Sequence, residues 1–334
     1  MDCFDKDMWE RLCEEAAAEG ASDLHIAAGQ PVFLRVNGEL HRLDRPHPED
    51  MFLAELLREL LSDEQAARFA EQGELDFAYS FGRQRFRINV FRGRGNLAMA
   101  CRLIPKDIPT LEALGAPKVF DRLLQLKHGL ILVCGPTGSG KTTTLAAYLN
   151  TINTTRAEHI LTLEDPIEYL FESDRSLVQQ REYGVDFFSF ADALRSALRE
   201  NPDILLVGEL RDADTVATAL HAAETGILVL GSLHTHTAAE ALLRMESFFP
   251  AEQQEEIRTQ LSVVLEAVVT QQLLPVKNGG RTAASEVLAS SPAVGNLIRS
   301  GKVQQLESVM LAGGGLGMQT MPQAIEQLKR QNII

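Results

Sequence analysis

Apolar positions follow two different rhythms along this chain, and the change falls near residue 105. Before it, elements are short and half-apolar. Met8, Trp9, Leu12, Cys13, Ala16 and Ala17 share one helical face, and Gly20 is a stop signal for that helix. Alternation then predicts strands at Asp23–Ala28 and Val32–Val36. Asn37-Gly38, the preferred dipeptide of a tight hairpin, leads into a third strand at Glu39–Leu43. Two helices fit between Pro48 and Glu71, the second opening on Ser62 and Gln65 at capping-box spacing. Three strands follow at Leu75–Phe81, Arg85–Phe91 and Leu97–Ile104. Pro105-Lys106-Asp107-Ile108-Pro109 disfavours helix and central strand alike.

Beyond Val119 the apolar runs become continuous: Leu130–Cys134, His159–Leu163, Ile204–Val207 and Ile227–Leu230. Strands covered on both faces read this way. Their alternation with helical stretches predicts an α/β domain on a mainly parallel sheet. The last hundred residues read as mostly helical, broken by a hairpin around Lys277-Asn278-Gly279-Gly280. The expected organisation is an α+β unit over residues 1–105, a linker over 106–118 and an α/β domain over 119–334.

Composition narrows the classes. The 334 residues carry a net charge of -14, which gives no general attraction to nucleic acid or anionic lipid. No apolar run reaches the roughly 18 to 20 residues of a membrane span, and the acidic N-terminus MDCFDKDMWERLCEE is unlike a signal peptide. The expected location is the cytoplasm. Cys3, Cys13, Cys101 and Cys134 form no C-x-x-C pair and read as reduced thiols.

The chemistry concentrates after residue 130. Gly135-Pro136-Thr137-Gly138-Ser139-Gly140-Lys141-Thr142 matches G-x-x-x-x-G-K-[ST] between a buried strand and a helix. Its glycines let backbone N–H groups turn onto phosphate oxygens, and the helix adds its dipole. Lys141 is placed for the β- and γ-phosphates and Thr142 for magnesium, with Thr143 beside it. A glycine-rich turn that merely contains Lys-Thr would not need that flanking context. ATP and Mg2+ are the cofactors this motif predicts.

Asp203–Glu209 (DILLVGE) reads as the second acidic strand of such a site, with Glu209 placed to activate the attacking water. Asp203 begins the run, about 20 Å away at roughly 3.3 Å per residue, and is read as structural. Glu164-Asp165-Pro166 follows another buried run and can serve magnesium or water. His234-Thr235-His236 closes a strand. A structural role is the default for a lone histidine, and His234 is also placed to sense the γ-phosphate. Arg83, Arg85, Arg87, Arg92, Arg94 and Arg102 crowd one part of the first unit. Such residues usually make a solvated face, but beside a P-loop domain they are candidate arginine fingers.

Leu198–Asp212 (LRENPDILLVGELRD) resembles the signature of the type II secretion and type IV pilus ATPase family. The order of P-loop, Glu164-Asp165-Pro166, Glu209 strand and a histidine box from His221 to His234 is similar too. Similarity extends from Gly20-Ala21-Ser22-Asp23-Leu24-His25 through Arg85-Phe86-Arg87-Ile88-Asn89 to Gly317-Met318-Gln319-Thr320. The resemblance implies a PAS-like N-terminal domain and a RecA-like P-loop NTPase domain. It also implies a homo-hexamer working on an inner-membrane pilus platform protein, with a paralogous pilus ATPase as a further partner and no nucleic acid. In site terms it implies water activation by Glu209, completion of the site by Glu164 and His234, and contributions from Arg85, Arg87 and Arg102. Departures are Ile227, where the family often has His, and His236, where it often has Thr or Asn.

Within the family, retraction motors are distinguished from assembly and secretion ATPases, which carry a further N-terminal domain and commonly a four-cysteine zinc motif. This sequence shows neither. Ala293–Ser300 (AVGNLIRS) resembles the retraction motif A-I-R-N-L-I-R-E, with Gly295 in place of Arg and Ser300 in place of Glu. The expectation is a motor for type IV pilus retraction, the alternative being assembly or secretion. A non-hydrolysing partner is disfavoured by the intact Lys141, Thr142 and Glu209. A nucleic-acid-dependent ATPase is disfavoured by the acidity.

Overall fold

The computed structural model describes residues 6–36, 38–82, 84–104, 107–277 and 279–334. Cys3, Asn37, Arg83, Pro105, Lys106 and Asn278 lie outside the described residues. Two compact units emerge, Met1–Asp107 with Glu168–Leu170, and Ile108–Ile167 with Phe171–Ile334.

The first unit is α+β. In chain order it holds α1 (Lys6–Ala18), β1 (Asp23–Ala27), β2 (Phe33–Val36), β3 (Glu39–Arg42), α2 (Asp50–Leu60), α3 (Asp63–Gln72), β4 (Glu74–Phe81), β5 (Gln84–Gly93) and β6 (Asn96–Ile104). The strands form one antiparallel sheet in the order β3-β2-β1-β6-β5-β4. Alternation decides its faces. Phe86, Ile88 and Val90 are buried with Trp9, Leu12 and Leu53 from the helices, while Arg85 and Arg87 turn to the other face. The capping box at α3 forms as its spacing predicts: Gln65 N–H donates to Ser62 Oγ (3.3 Å) and Ser62 N–H to Gln65 Oε1 (3.0 Å), worth about 1 kcal/mol.

The second unit holds α4 (Val119–Leu123), β7 (Gly129–Cys134), α5 (Lys141–Thr155), β8 (His159–Glu164), β9 (Leu177–Glu182), α6 (Phe190–Ala197), β10 (Ile204–Val207), α7 (Ala213–Glu224) and β11 (Leu228–Leu233). It continues with α8 (Ala238–Ser247), α9 (Ala251–Val264), β12 (Leu265–Pro275), β13 (Arg281–Ala289), α10 (Pro292–Arg299), α11 (Leu306–Ala312) and α12 (Met321–Arg330). Its seven-stranded sheet runs β13-β12-β7-β11-β10-β8-β9, parallel except for β13. Strands β7, β10 and β11 are buried at every residue, which is why their sequences do not alternate. Leu111 joins this unit's core.

The structure adds to the sequence reading in two places. The C-terminal part carries helices α8 to α12 around the hairpin expected near Lys277 and Gly280. Residues 265–289 form a long hairpin of 11- and 9-residue strands. No glycine or proline separates α9 from β12, so the helix passes into a buried strand without a break that a pattern can register. Strand β9 went unpredicted. It is a polar edge strand, LVQQRE, with no alternation to mark it. Among the described residues no helix is long and apolar enough to cross a membrane. Cys13, Cys101 and Cys134 are free and buried, and burial pushes the Cys134 thiol up to about 12.

Candidate active site

Strand β7 delivers the chain into Gly135 at the C-terminal edge of the parallel strands, where open α/β sheets hold their ligands. Gly135 takes φ 144°. A Cβ there would strike the Gln271 carbonyl oxygen and come within 2.5 Å of Ser139 Oγ, so only glycine lets the loop pass this close to β12. Gly140, at φ 89°, is the N-cap of the 15-residue α5, whose N-terminal partial charge faces the loop. Ser139 Oγ is buried and has no hydrogen-bond partner. Lys141 is buried too, and its Nζ donates to the carbonyl oxygens of Gly135 (2.8 Å) and Pro136 (3.2 Å). A buried ammonium, an unsatisfied hydroxyl and a helix N-terminus around one glycine-lined loop fit a phosphate-bearing anion. Gln271 braces the helix from behind through Nε2 to Thr144 Oγ1 (3.0 Å). Thr142 and Thr143 stand half-buried in the first turn of α5.

The facing wall comes from the ends of β8, β10 and β11. Gly208 N–H donates to Leu163 O (2.8 Å), and Ser232 Oγ donates to Gly208 O (2.5 Å). A Cβ on Gly208 would lie 3.0 Å from Leu163 O and 3.3 Å from Glu164 Cα. This close approach sets Glu209 beside the Glu164-Asp165 turn. His234, directly after β11, links the two walls: its Nδ1 is 3.4 Å from Lys141 Nζ and its Nε2 is 3.5 Å from Glu209 Oε1. Arg211 Nε donates to Glu209 Oε2 (2.7 Å) and its Nη1 to Asp165 Oδ2 (3.1 Å). Burial acts to lower the Arg211 pKa, but the two carboxylates outweigh it and the value rises. Lys141, His234, Glu209, Arg211 and Asp165 thus form one continuous polar chain.

Glu164 ends β8 as a buried carboxylate, its Oε1 accepting from Thr162 Oγ1 (2.7 Å) and Gln180 Nε2 (3.1 Å). Asp203 has a structural post at the other end of β10, where its Oδ2 accepts from His159 N–H (2.8 Å). Arg85, Arg87 and Arg102 belong to the other unit. Arg87 and Arg102 lie directly opposite one another on β5 and β6, a like-charge pairing that costs stability. Asp76 lies 3.5 Å from Arg87, and Asp23 lies 3.1 Å from Arg102. Arg85 reaches Ser80 Oγ at 3.4 Å. His221 lies exposed on α7, and His236 N–H is bound to Glu240 Oε2 (2.8 Å).

Sequence reasoning missed Arg211, Gln180 and Gln271 as parts of the site. Arg211 lies inside the quoted signature, but spacing alone does not say which arginine turns back onto Glu209. Gln180 comes from β9, which the sequence pattern does not mark, and Gln271 from β12, a strand that the sequence marks only by its hairpin turn.

A glycine-wound strand–loop–helix on a parallel sheet, with carboxylates and a histidine at the neighbouring strand ends, defines the class: a P-loop protein with a RecA-like α/β domain. The chain belongs to the type II/IV secretion system protein family, which matches residues 4–311. The type IV pilus retraction ATPase PilT of Pseudomonas aeruginosa is 46% identical over 96% of this chain and 93% of its own length. The uncharacterised Escherichia coli protein YggR is 47% identical over 95% of this chain and 97% of its own. The crystal structure of the pilus retraction motor PilT with bound ADP superposes with a TM-score of 0.90 at 46% identity, covering 97% of this chain and 94% of that one.

Proposed function

We propose that this chain is a magnesium-dependent ATPase that forms a hexameric ring and powers retraction of a type IV pilus. The observation that carries the reading is the full-length similarity to PilT, itself solved with ADP bound, joined to an intact Lys141–His234–Glu209 chain at the P-loop. In this reading the segment from Gly135 to Thr143 cradles the phosphates and Lys141 leaves its loop carbonyls for the β- and γ-phosphate oxygens. Glu209 orients and deprotonates the attacking water while Arg211 holds its second oxygen. His234, in contact with both Lys141 and Glu209, senses the γ-phosphate.

Among the described residues no group of three or more His, Cys, Asp or Glu side chains is arranged to hold a metal. With Thr142 half-buried in the first turn of α5 and Glu164 a buried carboxylate at the end of β8, a magnesium ion would be held by Thr142 directly and by Glu164 through water, in company with phosphate oxygens. Bound there, it would neutralise charge developing on the phosphates. Arg85, Arg87 and Arg102, exposed or half-exposed on their sheet, are assigned to nucleotide sites shared between subunits. The working location is the cytoplasmic face of the inner membrane, against the pilus platform protein and alongside a paralogous ATPase. Gly295 and Ser300 modify the retraction motif on α10: a Cβ at Gly295 would stand 3.1 Å from Ser262 O, so this helix lies flush on α9. An ATPase assay with and without magnesium and single-stranded DNA tests the enzymatic part. Magnesium-dependent, DNA-independent turnover is expected; turnover that requires DNA would contradict it.

A further inference from the structure

Strand β9 is polar although it closes one edge of an apolar sheet. Its side chains alternate between faces, so Gln180 and Glu182 share one. In the parallel ladder Gln180 pairs with Thr162 and Glu182 with Glu164. Thr162, Glu164, Gln180 and Glu182 therefore stand together on one face, at the strand ends that flank the P-loop. Thr162, Glu164 and Glu182 are buried and Gln180 is half-buried. Polar groups in such a place cost stability unless they are hydrogen-bonded. Here the bonds run to the site carboxylate and to the chain that leaves it.

Both ends of the Gln180 amide are engaged. Its Nε2 donates to Glu164 Oε1 (3.1 Å), and its Oε1 accepts the N–H of Phe171 (2.9 Å). Glu182 fastens the same stretch of chain nearer its start, where its Oε2 accepts the N–H of Ile167 (3.1 Å). The segment 165–171, which follows Glu164 directly, is thus anchored to β9 at two points, and one anchor also touches the carboxylate. An ionised carboxylate only accepts and a backbone N–H only donates. A side chain between them must donate one way and accept the other. A primary amide does both; an ionised glutamate has no donor, a lysine no acceptor and a methionine neither of useful strength.

We infer that Gln180 is a positioning residue for Glu164: it fixes the carboxylate from the neighbouring strand and ties its orientation to the segment 165–171. Thr162 Oγ1 also donates to Glu164 Oε1 (2.7 Å), but Thr162 belongs to the same strand and moves with it. The Gln180 bond holds the same oxygen from a second direction. The inference rests on the proposed role of Glu164 at a nucleotide site.

Two substitutions in the full-length protein, read by ATP hydrolysis and by hydrogen–deuterium exchange without nucleotide, test it. Gln180→Met fills the same space and removes both bonds. Gln180→Glu, assayed at mildly alkaline pH where glutamates are ionised, keeps the acceptor for Phe171 N–H and removes the donor to Glu164. In both, kcat should fall about tenfold to a hundredfold, the scale for a misplaced group, with KM for ATP within about twofold of wild type. Exchange over 165–171 should quicken in Gln180→Met and stay near wild type in Gln180→Glu. A kcat that falls only where exchange quickens would make Gln180 a fastener of the segment and overturn the inference, as would wild-type kcat in Gln180→Met. Should Gln180→Met lose its fold by circular dichroism, Gln180→Glu carries the test alone, and wild-type kcat there overturns the inference. In single-turnover assays on a Glu164→Ala background, Gln180→Met should change the residual rate by less than about twofold, because a residue that acts through Glu164 has nothing left to position. A full-sized further loss in that background also overturns it. Wild-type kcat in Glu164→Ala would remove the role of Glu164 and the inference with it, while loss of ATP binding in Lys141→Ala would still uphold the nucleotide site. A wild type that hydrolyses no ATP would end both.

Discussion

Replacing Arg211 with alanine separates positioning from folding at this site. The side chain makes bonds of 2.7 Å to Glu209 and 3.1 Å to Asp165 and is half exposed. Solvent screens such pairs, so their loss costs about 0.2–1 kcal/mol of stability. For a unit of this size that lowers Tm by about 4 °C at most. The effect on turnover should be larger. A correctly placed general base contributes about 10²–10⁴ in rate. Arg211 holds one of the two Glu209 oxygens, leaving Oε1 towards His234. Freed of it, Glu209 samples rotamers that miss the water, and kcat should fall about tenfold to a hundredfold of that range, with KM for ATP nearly unchanged. Arg211→Lys should recover part of the loss, because a single ammonium can pair with Glu209 but cannot fork to Asp165 as well. Steady-state phosphate release, with thermal melts on the same samples, reads both quantities. A wild-type kcat in Arg211→Ala would refute the positioning role, and a Tm drop well beyond the screened-pair range would show that the residue holds the fold instead.

Three further outcomes are expected. Glu209→Gln should bind ATP with near-wild-type affinity and lose most turnover, while Lys141→Ala should weaken binding itself; equilibrium binding and single-turnover assays separate the two. Inactive Arg87→Ala and Lys141→Ala subunits, mixed, should recover part of the activity if sites are shared between subunits, and light scattering in magnesium-ATP should report a hexamer; full turnover by a monomer would contradict this. Glu286 keeps its proton to higher pH in the native state than its ordinary value of 4.5 because it is buried. The native state then binds the extra proton, so this group's contribution to stability falls as pH rises through the raised value. Wild type should gain Tm relative to Glu286→Gln as pH drops from neutrality towards 4.5, and a difference that shrinks on acidification would reverse the sign argued here.

The first unit was legible because its strands alternate. Phe86, Ile88 and Val90 between Arg85, Arg87 and Asn89 show which face is buried, and Ser62 with Gln65 shows where a helix starts. The P-loop was legible because its glycines have no substitute: at Gly135 any side chain meets β12. What escaped was set by partners distant in sequence. The LEAVVTQQLLP segment is apolar enough for a helix or a buried strand, and only the parallel neighbour β7 on one side and β13 on the other decide it. Arg211, Gln180 and Gln271 owe their places to chain segments folded beside them, which no local spacing encodes. The same holds for Glu286, whose bond to the Ala238 N–H at the start of α8 joins residues 48 apart in the chain.

The central claim is retraction, and the phenotype of a clean gene deletion in the host cell, with complementation by wild type and Glu209→Gln, tests it most directly. Cells lacking the gene should carry abundant surface pili by electron microscopy, with no shortening events and no twitching. Wild type should restore both movements, and Glu209→Gln should restore neither. Bald cells would contradict the account and identify an assembly motor instead.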